Sequence, residues 1–179
     1  MGSSLSALVR SLFKTKPVSV VMVGLDGVGK TTVLYKMKTG ETAVTVPTIG
    51  FNVEQVTSHN LTMTIWDMGG QDKIRHLWRH YFTNTDALIL VLDSSDTDRI
   101  DLVRDTLQGL MREPLLEKVP IMILANKQDL PQALPPGVIA DKLGLYQCRR
   151  VWYVQPACAL SGEGLDSMLR WLASALRVC

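Results

Sequence analysis

No Asp or Glu precedes Asp26 in this 179-residue chain, whereas Arg10, Lys14 and Lys16 are present, so the N-terminal end is locally basic. Cysteine is scarce. Cys148, Cys158 and Cys179 are an odd number without metal-ligand spacing, which argues against a disulfide scaffold and fits a reduced cytosolic protein. Long apolar runs are also missing: stretches such as Ala87 to Leu92 fall far short of the roughly 20 residues that a bilayer-spanning helix needs. A soluble or surface-anchored protein is therefore expected. The net charge of +2 is too small to indicate nucleic acid, and none is expected as a partner. Internal repeats, low-complexity tracts and linkers are absent. What remains, 46% hydrophobic and 20% charged, suits one folded α/β domain.

The stretch Gly24-Leu25-Asp26-Gly27-Val28-Gly29-Lys30-Thr31 matches the G-x-x-x-x-G-K-[ST] phosphate loop. The apolar run Val18 to Val23 before it reads as the strand that the motif requires, and Thr32 to Met37 after it as the start of a helix. The glycines let the backbone curl so that successive N–H groups point at phosphate oxygens, and the helix N-terminus adds favourable potential. Lys30 then reaches the β- and γ-phosphates, and Thr31 offers its hydroxyl to Mg²⁺. An ordinary Gly-rich turn is the competing reading, and the strand and helix on either side disfavour it.

At the N-terminus, Met1-Gly2-Ser3-Ser4-Leu5-Ser6 fits the pattern in which loss of Met1 exposes Gly2 for N-myristoylation. Leu5, Leu8, Val9, Leu12 and Phe13 then fall at helical spacing, with Arg10, Ser11 and Lys14 opposite, before Pro17 ends the run. One acyl chain holds a protein only marginally to a bilayer, so an apolar helix face with basic neighbours is a fitting second signal. A core helix packed on the domain and a mitochondrial transit peptide are the alternatives.

Phe51 to Thr57 and Leu61 to Trp66 alternate apolar and polar residues around Ser58-His59-Asn60, a hairpin pattern. Ala87 to Leu92 and Val119 to Ala125 read as strands buried on both faces of a parallel sheet. Helical spacing occupies Thr97 to Met111, Val138 to Leu143 and Leu165 to Leu176, and a last strand is expected over Val151 to Pro156. This alternation predicts one three-layer α/β domain.

Asn126-Lys127-Gln128-Asp129 follows the strand ending at Ala125, at the carboxyl edge where open α/β sheets bind ligands. A carboxylate at Asp129 can accept hydrogen bonds from both the ring N–H and the amino group of guanine, whereas adenine would leave it unpaired. Sites built on such bonds reject an analogue lacking them by several kcal/mol.

With these motifs the chain resembles the small GTPases, and within them the Arf family, over essentially its full length. GLDGVGKT at Gly24 to Thr31, PTIGFNVE at Pro47 to Glu54, WDMGGQDKIR at Trp66 to Arg75, NKQD at Asn126 to Asp129 and CAL at Cys158 to Leu160 carry the likeness. Asp26 and the Gly2-initiated helix look like Arf rather than Ras or Rab, and no C-a-a-X box is present. The resemblance implies a P-loop GTPase fold: a mostly parallel six-stranded sheet with one antiparallel edge strand, helices on both faces and an N-terminal amphipathic helix. Residues 1–16 would be the membrane-anchoring helix and 17–179 the G domain.

Residue by residue, the resemblance assigns GTP and GDP binding to Gly24, Leu25, Asp26, Gly27, Val28, Gly29, Lys30, Thr31 and Thr32. It adds Thr48, Asp67, Gly70, Asn126, Lys127, Asp129, Cys158 and Ala159. Thr31 and Thr48 would coordinate Mg²⁺, Asp67 would organise it through water, the Gly70 amide would meet the γ-phosphate, and Gln71 would orient the attacking water. Lys127 would lay its stem on the base, and the Ala159 amide would meet guanine O6. Phe51, Trp66 and Tyr81 match the aromatic triad shown to effectors, with strand and core aromatics as the alternative. The hairpin, by a two-residue slip, would expel the N-terminal helix to the membrane in the GTP state.

The loop Gly40 to Thr48 has no Arg or Lys, so slow intrinsic hydrolysis is expected, accelerated by an activating protein that brings an arginine. Exchange factors, activating proteins, and effectors or coats at the Golgi or another endomembrane are the implied partners of a monomer. A non-hydrolysing GTP-binding scaffold and a phosphate-loop kinase or ATPase are the rival readings. His76 stands where many members have proline, and Leu160 replaces a more polar residue; neither removes a nucleotide contact.

Overall fold

The computed structural model describes residues 17–42, 46, 48 and 50–177. The amphipathic segment over residues 1–16, with Gly2, and the terminal Cys179 lie outside them. Strand β1 (Val18–Val23) runs into the phosphate loop and helix α1 (Lys30–Thr39). The helix starts two residues earlier than its apolar spacing suggested, because Gly29 at φ 94° turns the chain directly into it. Strands β2 (Phe51–Ser58) and β3 (Leu61–Met68) form the hairpin, joined by His59 and Asn60 at φ 50° and 61°. Two consecutive left-handed residues are the signature of the tight turn whose twist matches the flanking strands. β3 extends past the expected Trp66, so Asp67 lies inside the sheet and not in the loop after it.

A short helix α2 (Asp72–Arg75) and a 3-10 turn (Trp78–Tyr81) then lead to β4 (Ala87–Asp93) and α3 (Ile100–Met111). α3 starts later than expected, because the Asp96 side chain accepts the Arg99 amide and holds the preceding residues in a turn. β5 (Ile121–Asn126) follows Pro120, which has no N–H for a ladder, so the strand begins after Val119 rather than at it. Helix α4 (Pro136–Lys142) starts on a proline at its first turn, and β6 (Trp152–Pro156) and α5 (Leu165–Arg177) complete the domain.

The sheet order is β2-β3-β1-β4-β5-β6, with β2 antiparallel to β3 and every other neighbouring pair parallel. Ala87 to Leu92 in β4 and the whole of β5 are buried, which requires cover on both faces of the sheet. Val33 and Leu34 of α1, Val103 and Leu107 of α3, and Met168 and Leu172 of α5 supply that cover in one continuous core. Along β3, Leu61, Met63, Ile65 and Asp67 are buried. A carboxylate on an otherwise apolar strand face is there for chemistry, since burying a charge is costly unless something pairs with it. The loops after β1, β3, β5 and β6 all open at the same carboxyl edge, and they build the site.

Candidate functional site

The phosphate loop is a tight backbone cage. Val28 and Leu25 point into the core, almost fully buried, so the loop backbone faces outward. Lys30 is buried and donates from Nζ to the Leu25 carbonyl at 2.7 Å, curling back over the loop. Burial lowers its pKa from 10.5 to about 8, against the attraction of Asp67 and Asp26, with repulsion from Arg75 adding to the fall. A buried ammonium held over a ring of backbone amides is poised for an anion. The cavity around it, about 420 Å³, is lined by Asp26, Lys30, Thr31, Thr48, Gly70 and Gln71 among others.

Three oxygens from distant parts of the chain converge beside Lys30. Thr31 Oγ1 donates to Asp67 Oδ2 at 2.7 Å and lies 2.9 Å from Thr48 Oγ1. The other Asp67 oxygen, Oδ1, is buried and has no hydrogen-bond partner among the described residues. Burial raises the Asp67 pKa, against the Thr31 hydrogen bond, the charge of Lys30, and the side chains of Asn52 and Thr48. An orphaned carboxylate oxygen beside two hydroxyls is the donor set of a hard cation that keeps some of its water, so these residues fit Mg²⁺.

The second loop closes from the opposite side. Trp78 Nε1 donates to the Gly69 carbonyl at 2.9 Å in a buried contact, and Arg75 Nε donates to the Gly70 carbonyl at 2.9 Å. Gly70 lies directly against the phosphate loop, where a Cβ would come within 2.4 Å of Gly24 O. Gln71, exposed, faces the same cavity from the start of α2.

Gly29, Thr32 and Lys127 also line a neighbouring cavity of about 300 Å³, together with Asn126, Asp129, Leu130, Ala159 and Leu160. The two therefore form one trough, a phosphate end and a base end. Asn126 is the strut between them: Nδ2 donates to Val28 O at 2.8 Å and Oδ1 accepts the Ala159 amide at 2.9 Å. That amide, expected to meet guanine O6, is thus already paired, and a base oxygen would share it. Lys127 sits at φ 65°, a strained value for a non-glycine, and its Nζ bonds Asp93 Oδ2 at 2.6 Å. Burial opposes ionisation of Asp93, but the Lys127 contact and the Ser95 hydroxyl and amide outweigh it and hold the pKa below the usual value. The Asp129 carboxylate is exposed at the trough wall, where a base edge would lie.

The model of the ADP-ribosylation factor family matches residues 5–176. This chain belongs to the Arf family. Among solved structures, the Arl6 BBS3 small GTPase from Trypanosoma brucei with bound nucleotide analogue GppNp is similar at a TM-score of 0.84 and 30% identity. The match covers 91% of this chain and 99% of that one. Arf proteins are GTP hydrolases, and this chain is a small GTPase with their six-stranded fold.

In this Arf-family chain, Phe51, Trp66 and Tyr81 form a mutual aromatic cluster, with centroids 5.0 to 5.7 Å apart and every pair tilted. Phe51 is 43% exposed while Trp66 and Tyr81 are partly buried against the core, so the cluster reaches the surface through Phe51. Cys158 is buried, with its amide on Glu163 O and its Sγ accepting from Ser161 N; it shapes the turn and lines neither end of the trough. Asp93 and Arg99 carried no motif, and Arg75 was quoted only within a motif, with no role of its own. Asp93 ends β4 at the carboxyl edge, a position that could have drawn notice. Arg75 and Arg99 both reach Asp26, at 3.9 and 3.4 Å, and nothing in the spacing announces those contacts.

Proposed function

We propose that this GTPase is a γ-phosphate-sensing switch that recruits effectors to an endomembrane surface, with residues 17–179 as the G domain and residues 1–16 as its anchor. One observation carries the reading: Thr48 and Gly70, from two separate loops, are drawn onto Thr31 and the phosphate loop in a single closed arrangement. Loss of a γ-phosphate would release both loops together. Thr31 and Thr48 would hold Mg²⁺, with Asp67 acting through water. When bound, the ion neutralises charge on the phosphate oxygens.

The nucleotide would lie along the trough, phosphates on the loop amides and Lys30, guanine between Lys127 and the Ala159 turn, with Asp129 accepting from the base. Gln71 faces the γ-phosphate end and would orient the attacking water. The two arginines nearby are committed elsewhere. Arg75 serves Gly70 O and Asp72, and Arg99 serves Asp96 at 2.5 Å and Asp26. Intrinsic hydrolysis is therefore slow, and an activating protein supplies the missing cation.

The cluster of exposed Phe51 with half-buried Trp66 and Tyr81 is the effector face, adjoining the loops that move. Among the described residues no helix is long and apolar enough to cross a membrane. Attachment comes from acylated Gly2 and the amphipathic segment behind it. Lipidated protein loaded with GDP or a non-hydrolysable GTP analogue is sedimented with liposomes. Binding in the GTP-analogue state only is expected, and equal binding in both states sinks the membrane switch. Effector identity follows from a comparative pull-down with Gln71→Leu and Thr31→Asn.

A further inference from the structure

A second recess lies outside the trough, between the turn after β3 and helix α3. It measures about 350 Å³, within the ordinary range of small-molecule pockets, and its floor is Trp78, Phe82 and Leu110. Its two walls differ in charge. His76 and Arg79 stand on one, and their side chains make no hydrogen bond or ion pair among the described residues; Asp105 and Glu113 stand on the other, on or next to α3. Gly109 lines the recess from α3. Glycine weakens a helix interior relative to alanine, and no close packing explains it, because a Cβ there meets nothing within 4 Å. It leaves the recess open down to the helix backbone.

The recess is wired to the nucleotide. Trp78 in its floor holds Gly69 O through Nε1, and Arg75 on its rim holds Gly70 O through Nε. Gly70 in turn lies against the phosphate-loop backbone. Whatever packs on Trp78 and Arg75 acts on the loop that closes over the phosphate end. We infer that this recess binds a small amphipathic anion and that its occupancy is linked to the nucleotide state. The apolar body lies on Trp78, Phe82 and Leu110, and the anionic end faces His76 and Arg79, turned there by the acidic residues opposite. The linkage rests on the γ-phosphate-sensing reading; anion binding does not.

The test titrates full-length protein, loaded with GDP or with a non-hydrolysable GTP analogue, with fluorescent anilinonaphthalenesulfonate and with its uncharged counterpart phenylnaphthylamine. Expected is one saturable site that prefers the anion, with affinities differing about fivefold or more between nucleotide states. Gly109→Leu fills the recess and weakens dye binding about tenfold or more, with helix content and thermal unfolding of the GDP-loaded protein close to the parent. The double variant His76→Ala, Arg79→Ala weakens the anion about two- to fivefold and leaves the uncharged dye unaffected. Unchanged affinity in Gly109→Leu overturns the site, and equal binding of both dyes overturns anion recognition. Equal affinity in the two nucleotide states overturns the linkage while leaving the site standing.

Discussion

Replacing Gly70 with alanine tests whether the closed arrangement is what reads the γ-phosphate. A Cβ at that position would sit 2.4 Å from Gly24 O, 2.4 Å from Leu25 C and 2.5 Å from Leu25 O. All three are backbone atoms, so no side-chain rotation relieves the overlap. Cβ atoms essentially never come within 3.0 Å of such a neighbour and sit at ordinary contact only from 3.4 Å, so the two loops must part by at least about 0.6 Å and by about 1 Å to reach ordinary contact. Gly70 does not occupy the left-handed region, so alanine is tolerated once its loop has moved away. The cost falls on the closed state alone. Overpacking of this kind costs about 1–3 kcal/mol, which converts to a loss of about 5- to 150-fold in affinity for a GTP analogue relative to GDP. The assay is equilibrium competition against a fluorescent GDP in the presence of Mg²⁺, with Gly137→Ala as control, since its Cβ meets nothing within 4 Å. GDP affinity should stay within about twofold of the parent, and single-turnover hydrolysis should slow in step. An unchanged affinity ratio would falsify the view that closure of Gly70 onto the phosphate loop discriminates GTP from GDP.

Lys30 links binding to protons. Its pKa, lowered to about 8 by burial, rises again when phosphate charge arrives, so nucleotide binding at pH 8 without Mg²⁺ takes up about half a proton. Calorimetry in two buffers of different ionisation enthalpy measures this, and zero uptake at pH 8 contradicts it. By the same sign, the unfolded chain holds the lysine proton up to pH 10.5 and the nucleotide-free fold releases it near 8, so Lys30 destabilises the fold below 8 and that penalty fades as pH rises through this window. Asn126→Ala removes two buried hydrogen bonds, to Val28 O and from the Ala159 amide, and strands both groups. Stability should fall by at least about 2 kcal/mol in urea unfolding. GDP and GTP-analogue affinities should fall together, unlike the selective loss in Gly70→Ala; a selective loss would contradict the strut role.

Local chemistry made much of this protein readable in one dimension. Gly24 to Thr31 and Asn126 to Asp129 are contiguous, and each carries its ligand chemistry in residue types at fixed offsets. The continuous apolar runs of β4 and β5 reflect burial on both faces, and the alternation from Leu61 to Trp66 in β3 reflects burial on one; in β2, the edge strand, the same alternation buries only Val56 and leaves Phe51 and Val53 exposed. Helix starts were less legible, because Gly29 and Pro136 move a boundary by geometry that hydrophobic spacing does not register.

Contacts between distant segments were left to the tertiary structure. Arg99 meets Asp26 across 73 positions, and Asn126 meets Val28 across 98. Such pairs depend on which loops the crossovers bring to one edge, a property of the whole sheet order and not of any window of residues. The recess over Trp78, Phe82 and Leu110 is of the same kind, since each residue alone reads as ordinary core. Sequence by itself determined the ligand class, through motifs whose chemistry is short-range. Only the fold decided how the loops are held, because that depends on the angstrom-scale approach of backbones far apart in the chain: Gly69 and Gly70 by Trp78 and Arg75, and Gly70 against Gly24 and Leu25.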